Sequence, residues 1–457
     1  MIRVDMRRLG GAVQRSIIVA VVSALVVVGA LMGSSALMRQ MQPPTTANDA
    51  PVLGDARAGA ISRTDRGIGA LQERLRQYAS PAGQTALALG YLQKARETSD
   101  PSYYTRADTL LRQAHQDSPE DADTLIGLGT LALARHDFEA GLAWGQQAVA
   151  RAPSRAAAYG VLADALIELG RYDEAVTTVQ RMVDLRPDQA SYSRVSYLRE
   201  LHGDRAGAIT AMQSAVQAGA AGAEGTEWAR VQLGHLYFGE GNLADAERSY
   251  QEAVERLPGY VHAQGGLARV AAARGDTSTA IQRYTEATGA IPVPELVIHL
   301  GEVYRAVGQT DAADRQDALV RVMQQLSAAN GMDTDLEMAL FDADRRVALD
   351  DAVIRARAQW ETRKSVHVAD VLAWTLYRSN ACQEADELAR EALRLGTRDA
   401  LMLFHAGRIA ECVGDRPRAA RLLNDALTLN PHFSLLYASE ARRVLDAIGA
   451  SQDGGRR

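Results

Sequence analysis

EWARVQLGHLYFGEGNLADAERSYQEAVERLPGY, residues 227–260, decides the fold. Leu233, Gly234 and Tyr237 stand at helical spacing, Ala246, Tyr250 and Ala253 repeat that spacing on a second helix, and Pro258 ends it. The same order recurs in Tyr159, Leu162, Ala163, Ala175, Val179 and Pro187, and again in Ala406, Gly407, Ala419, Leu423, Ala426 and Pro431. A rhythm of roughly 34 residues means a stack of helical hairpins, each too thin to fold alone. Such an array usually functions by presenting a surface, so the sequence speaks of architecture more than of a ligand.

The pattern resembles the tetratricopeptide repeat, in which an aromatic, a Leu-Gly pair and a Tyr on a first helix are followed by Ala, an aromatic and a closing Pro around a second. Small residues sit where the helices cross and large ones fill the gaps between hairpins. The resemblance implies an all-α, right-handed superhelical solenoid of about nine to ten repeats. Its register runs 84–121 with an expanded first helix and turn, then 122–155 and 156–188. Repeat 189–219 departs, with Ser196 at the Gly position and no closing Pro. Repeats 227–260, 261–293 and 294–327 follow; 333–365 is degenerate but keeps Leu340, Ala352 and Ala356. Repeats 366–399 and 400–433 lead to a capping helix over 435–448. The repeat domain spans 64–449, with joints expected near 218–226 and 328–335 that divide it into three sub-stacks, and 450–457 reads as a disordered tail.

With 457 residues and 5% aromatics, the chain is too long for one ordinary core and poor in the side chains that fill one. Stacked Ala-rich layers resolve both points. A net charge of -6 predicts no nucleic-acid partner. Lys94 and Lys364 are the only lysines, and the arginines that replace them spread through the whole chain.

The N-terminus differs. Arg3, Arg7, Arg8 and Arg15 in segment 1–15 precede an apolar run in 16–38. From Ile17 to Met38 this is about 22 residues, or roughly 33 Å as a helix, enough to cross a bilayer. Ser34 and Ala36 also form a small-x-small cleavage pattern, so a signal segment competes with an anchor. Length favours the anchor, and in both cases the basic end stays cytoplasmic and the repeats lie outside. Segment 39–63, with Pro43, Pro44 and Pro51, reads as a flexible linker. Cys382 and Cys412 fall at the same end of neighbouring repeats. They either pair in an oxidising compartment or pack as small half-buried residues, the reading that their helical setting favours.

No phosphate-binding loop, zinc helix or nucleophile elbow occurs. Asp342, Asp344, Asp350 and Asp351 lack calcium-loop spacing and read as a solvated face. His235, His262 and His405 are single histidines on helices, so no metal site or cofactor is expected. No stretch outside the repeats is long enough for a catalytic domain.

The resemblance places first helices on the concave face, where partners dock. Tyr197, Trp228, His235, Phe238, Arg269, Glu302 and Arg305 then line the middle of the groove, and Trp374, Tyr377, Arg378, Phe404 and Arg408 its C-terminal part. Aromatics interleaved with Arg dominate interface energy, although inter-repeat packing explains the same residues. Chaperone-binding members clamp a carboxylate with Lys and Asn; this chain has Arg269, Arg305 and Arg408 in comparable places and lacks that set. The expectation is a membrane-tethered, non-catalytic scaffold binding a protein or extended peptide outside the cytoplasm. Its alternatives are a soluble exported form, or an enzyme or carbohydrate-processing component, which requires a compact pocket of convergent polar groups in place of an open trough.

Overall fold

A computed structural model describes residues 63–454, the last four through their backbone alone. The expected anchor and most of the linker lie outside these residues. Among the described residues no helix is long and apolar enough to cross a membrane.

Every element is a helix. After α1 (Arg63–Gln77) come ten antiparallel hairpins: α2–α3 (Pro81–Thr98, Ser102–Asp117), α4–α5 (Ala122–Ala134, Phe138–Arg151), α6–α7 (Ala156–Glu168, Tyr172–Leu185), α8–α9 (Gln189–Leu201, Arg205–Ala218) and α10–α11 (Glu224–Gly239, Leu243–Arg256). The second five are α12–α13 (Val261–Ala273, Thr277–Ala290), α14–α15 (Pro294–Ala306, Thr310–Ala329), α16–α17 (Asp335–Arg345, Leu349–Thr362), α18–α19 (Val366–Arg378, Cys382–Ala392) and α20–α21 (Ala400–Cys412, Arg416–Leu429). The closing α22 (Ala438–Gly454) starts three residues later than expected and runs through most of the segment read as a tail.

Residues 227–260 show why the hairpin forms. Gly241 supplies the positive φ of 70° that the turn requires, and Asn242 caps α11 by accepting from the Asp245 amide at 3.2 Å. The Tyr250 ring is fully buried, and a Cβ built on Gly234 or Gly266 would lie 2.4 or 2.5 Å from it. One aromatic therefore locks two first helices, its own and the next, through positions where only glycine fits. The Leu-Gly signature is the packing partner of the aromatic on the second helix.

The solenoid closes on itself with a constant offset. Arg135 donates to the Asn330 carbonyl at 3.1 Å, Arg363 to Glu168 at 2.9 Å, the Val366 amide to the Tyr172 hydroxyl at 2.9 Å, Thr397 to the Leu201 carbonyl at 2.7 Å, and Asn430 to the Phe238 carbonyl at 2.9 Å. These partners are 192 to 196 residues apart, between five and six repeats. Turns within the hairpins α4–α5 to α10–α11 thus rest on the loops between later hairpins, so one superhelical turn stacks edge to edge on the next. The fully buried Arg194–Asp164 pair and the Arg363–Glu168 pair lie within this packing, and burial pushes the Asp164 and Glu168 carboxyls up to about 6 and about 7 against their arginines.

Segment 218–226, expected to loosen the stack, is knit instead: Thr226 and Glu227 are buried, and Gln189 bonds to the Gly225 carbonyl and to Thr226. Packing is thinner at α16. Consecutive hairpins elsewhere pack along their length, but α16 meets α14–α15 through a small cluster of Val297, Val320, Met338 and Phe341. Cys382 and Cys412 are disulfide-bonded, their Cα atoms 5.8 Å apart, which corrects the reading of two unpaired packing residues. The bond ties the start of one second helix to the end of the following first helix.

Candidate functional site

The thinning at α16 leaves a cavity of about 360 Å³ in the interior of the superhelix. Three successive first helices form one wall. α10 contributes Glu224, Trp228 and Phe238, α12 contributes His262 and Arg269, and α14 contributes Glu295, His299 and Glu302. On α14 the spacing of four then three residues puts all three side chains on one face. The opposite wall comes from distant repeats: Arg96 at the end of α2, Phe341, Asp344 and Arg345 on α16, and His432, Phe433 and Tyr437 beyond α21.

Most polar groups here are satisfied by the chain. Arg96 pairs with Glu224, which also accepts from the Tyr260 hydroxyl at 3.1 Å. Arg345 pairs with Asp317 at 3.2 Å and lies over the Phe341 ring. Asp344 accepts from the Trp374 indole at 2.9 Å and from the Tyr437 hydroxyl at 2.7 Å. Arg269 differs in its lack of a carboxylate: its guanidinium lies 4.0 Å from the Phe238 centroid and no carboxylate pairs with it among the described residues, while its buried Nη1, like Arg96 Nη1 and Arg345 Nη2, meets no acceptor. Trp228 is 4% exposed, and its indole N–H also has no partner. Glu295 and Glu302 face the same space without a hydrogen bond or salt bridge among the described residues.

Arg269, Glu295 and Glu302 are half-buried and line the cavity, whereas Arg269 Nη1 and Trp228 Nε1 are themselves buried. Burial accordingly dominates their ionisation. It raises the Glu295 carboxyl, with Arg269 opposing, and lifts Glu302 to about 7 against Arg345. It depresses His299 to about 3, with Arg269 and Arg345 adding to the effect, and lowers His262. At neutral pH the wall thus holds an ionised Arg269 beside neutral imidazoles and readily protonated carboxyls. Neither histidine supplies a proton there. Among the described residues no group of side chains could hold a metal ion.

Of the residues expected on the groove, Trp228, Phe238, Arg269 and Glu302 come together here. His235 turns aside, its Nδ1 2.7 Å from the Tyr250 hydroxyl, and Tyr197 is buried with its hydroxyl 3.1 Å from His367 Nε2. Arg305 pairs with Asp317 at 2.8 Å. The second group does not line an open groove. Trp374 and Phe404 are fully buried; Tyr377 stacks on Trp374, Arg378 covers Trp374 and donates to the Tyr437 hydroxyl at 2.8 Å, and Arg408 pairs with Glu411 and Glu440. His405 stacks on Trp374 and faces Asp370 at 3.1 Å. Glu295 and His299 were legible from their spacing to Glu302 on a first helix. Arg96 carried no such signal, because it comes from a repeat far away in the chain, and Glu224 and Arg345 stand at the ends of their helices, outside that spacing.

Two tetratricopeptide-repeat family profiles match residues 132–196 and 231–293. A comparison with curated protein sequences returns no match. Among solved structures, the chain is similar to TTC0263, a thermophilic tetratricopeptide-repeat protein of Thermus thermophilus, at 22% identity over 42% of this chain and 98% of that one, with a TM-score of 0.38. YrrB, described as having an unusual peptide-binding site, aligns at 21% identity over 41% of this chain and 96% of its own, TM-score 0.29. Human IFIT1, a dimer with m7Gppp-AAAA, aligns at 14% identity over 72% of this chain and 76% of its own, TM-score 0.45. The two profile matches lie inside a series of ten helical hairpins, so the described residues form a tetratricopeptide-like repeat array.

Proposed function

We propose that the protein is a membrane-tethered, non-catalytic scaffold that takes a protein segment or peptide into the interior cavity on the outer side of the membrane. The observation that carries the binding reading is Arg269, held on Phe238 and lining the cavity with no carboxylate of its own among the described residues. An unpaired half-buried cation costs stability unless a ligand answers it. Arg305 and Arg408, the other arginines placed for carboxylate capture, are already paired. The tether rests on the apolar run after four arginines, and the Cys382–Cys412 bond fits an oxidising compartment. A soluble exported form differs only in cleavage near Ser34 to Ala36.

The test is photo-crosslinking from Gln324, replaced by a photoreactive residue, in full-length protein within its native membrane. We expect a discrete crosslinked polypeptide that disappears when Ala273→Trp fills the cavity while the circular dichroism is unchanged. Retention of that product by the filled variant would sink the reading.

The enclosure of the site favours a second reading, an enzyme or carbohydrate-processing component. Glu302, poised at about 7, has the ionisation of a general acid or base. Turnover of a glycoside abolished by Glu302→Gln would establish it over the scaffold.

A further inference from the structure

Within one small cavity, Arg269 and the pair Glu295 and Glu302 carry opposite charge potential on neighbouring helices, yet no salt bridge joins them. Elsewhere in this chain buried charges meet directly, as Arg194 meets Asp164 with Nε 2.8 Å from a carboxylate oxygen. The cavity instead keeps its cation on α12 and its carboxyls on α14, with space before both. An anionic ligand alone would leave two half-buried carboxyls without a donor, and a cationic ligand alone would leave Arg269 unanswered. A dipolar ligand answers every group.

We propose that the cavity binds a small zwitterion, a free amino acid or a short peptide with both ends charged, whose carboxylate meets Arg269 and whose ammonium group meets Glu295 and Glu302. This rests on the reading of the cavity as a peptide-binding site and assigns its ligand chemistry. The volume agrees: about 360 Å³ is at the lower end of the ~300–1,000 Å³ of ligand pockets, room for one to three residues and not for a long segment. The apolar surfaces of Phe238, Tyr284 and Phe341 supply contact for a side chain. The ionisation pattern supports the assignment. The charged groups that act on Glu302 are Arg305 of α14, Arg269 of α12, and Asp344 and Arg345 of α16, with Asp317 of α15 paired to Arg305 and Arg345, and Glu295 and His299 share its face of α14. In that setting its carboxyl is half-protonated near neutrality and becomes the partner of an arriving ammonium group.

Calorimetric titration of the full-length protein with the L-amino acids and with free di- and tripeptides tests this, the arms separating single residues from peptides. Each binding compound is then compared with its C-amide and N-acetyl forms. We expect each block to weaken binding roughly 10- to 100-fold, the size of a charge-assisted hydrogen bond. The C-amide penalty should vanish in Arg269→Gln, and the N-acetyl penalty in the Glu295→Gln, Glu302→Gln double variant, because each variant removes the group that reads that end. Doubly blocked peptides binding as tightly as free ones would overturn the inference and leave the peptide-site reading intact. Binding by no member of either set overturns it as well, whatever the crosslinking result.

Discussion

Two clusters in this chain have the same composition on paper. Around Arg269 stand Trp228 and Phe238; around Arg378 stand Trp374, Tyr377 and Phe404, and both sets lie on consecutive first helices. The folded chain treats them oppositely. At the second cluster Asp344 accepts from the Trp374 indole and Tyr437 accepts from Arg378, so neighbouring elements supply these polar partners, while the buried Arg378 Nε is left without one. At the first, neither the Trp228 indole nor Arg269 Nη1 finds one. Residue type is therefore a poor guide to binding on a solenoid. Whether a later repeat brings the complementary atom decides between core and site.

The largest expected effect is in the satisfied cluster. Trp374 is fully buried, stacked against Tyr377 and His405 and bonded to Asp344. Trp374→Ala should destabilise the protein by about 3 to 5 kcal/mol, through lost contacts, a cavity and the lost hydrogen bond to Asp344. Urea unfolding followed by circular dichroism measures it. A loss below about 1 kcal/mol would mean that the cluster is an accessible surface after all.

A smaller effect, with a pH signature, belongs to the cavity. Burial raises Glu302 from its ordinary value to about 7, so the folded state holds its proton more tightly than the unfolded chain. The contribution of this group to stability is complete below about pH 4.5 and is lost as pH rises to about 7. Glu302→Gln should flatten that part of the stability profile, leaving the slope owed to Glu168, which titrates in the same window beside Arg363. Unfolding midpoints of both proteins from pH 4 to 8 give the difference curve. A curve without slope would place Glu302 in contact with solvent.

The fold was legible because its determinants are local. Gly234, Tyr250 and Pro258 act within one hairpin and its neighbour, so a single period reports them, and the degenerate repeat after Ala328 marks the place where α16 parts from the stack. The cavity was legible only in half. Its α10, α12 and α14 wall follows from the position of first helices, which put Trp228, Phe238, Arg269 and Glu302 in view. Of the other wall, His432 and Phe433 depend on an offset near 195 residues, set by the small rotation between successive hairpins. No single hairpin encodes that rotation. Tyr197, Trp374 and Phe404 were read as groove residues for the same reason: in an open solenoid they would face solvent.

The smallest expected change in stability is the one that separates the clusters most sharply. Arg269→Met keeps the length of the side chain and its contact with Phe238 but removes the guanidinium. The loss of a cation–π contact, roughly 1 to 2 kcal/mol at a desolvated site, opposes relief of an unpaired buried charge of similar or larger size. The net change should lie within about 1 kcal/mol and lean toward stabilisation. Arg378→Met removes a charge that is answered by Tyr437 and should cost about 1.5 to 3 kcal/mol. Parallel thermal and urea unfolding of the two variants makes the comparison. If Arg269→Met proves as costly as Arg378→Met, the chain itself satisfies Arg269, and the cavity loses the group that defines it as a binding site.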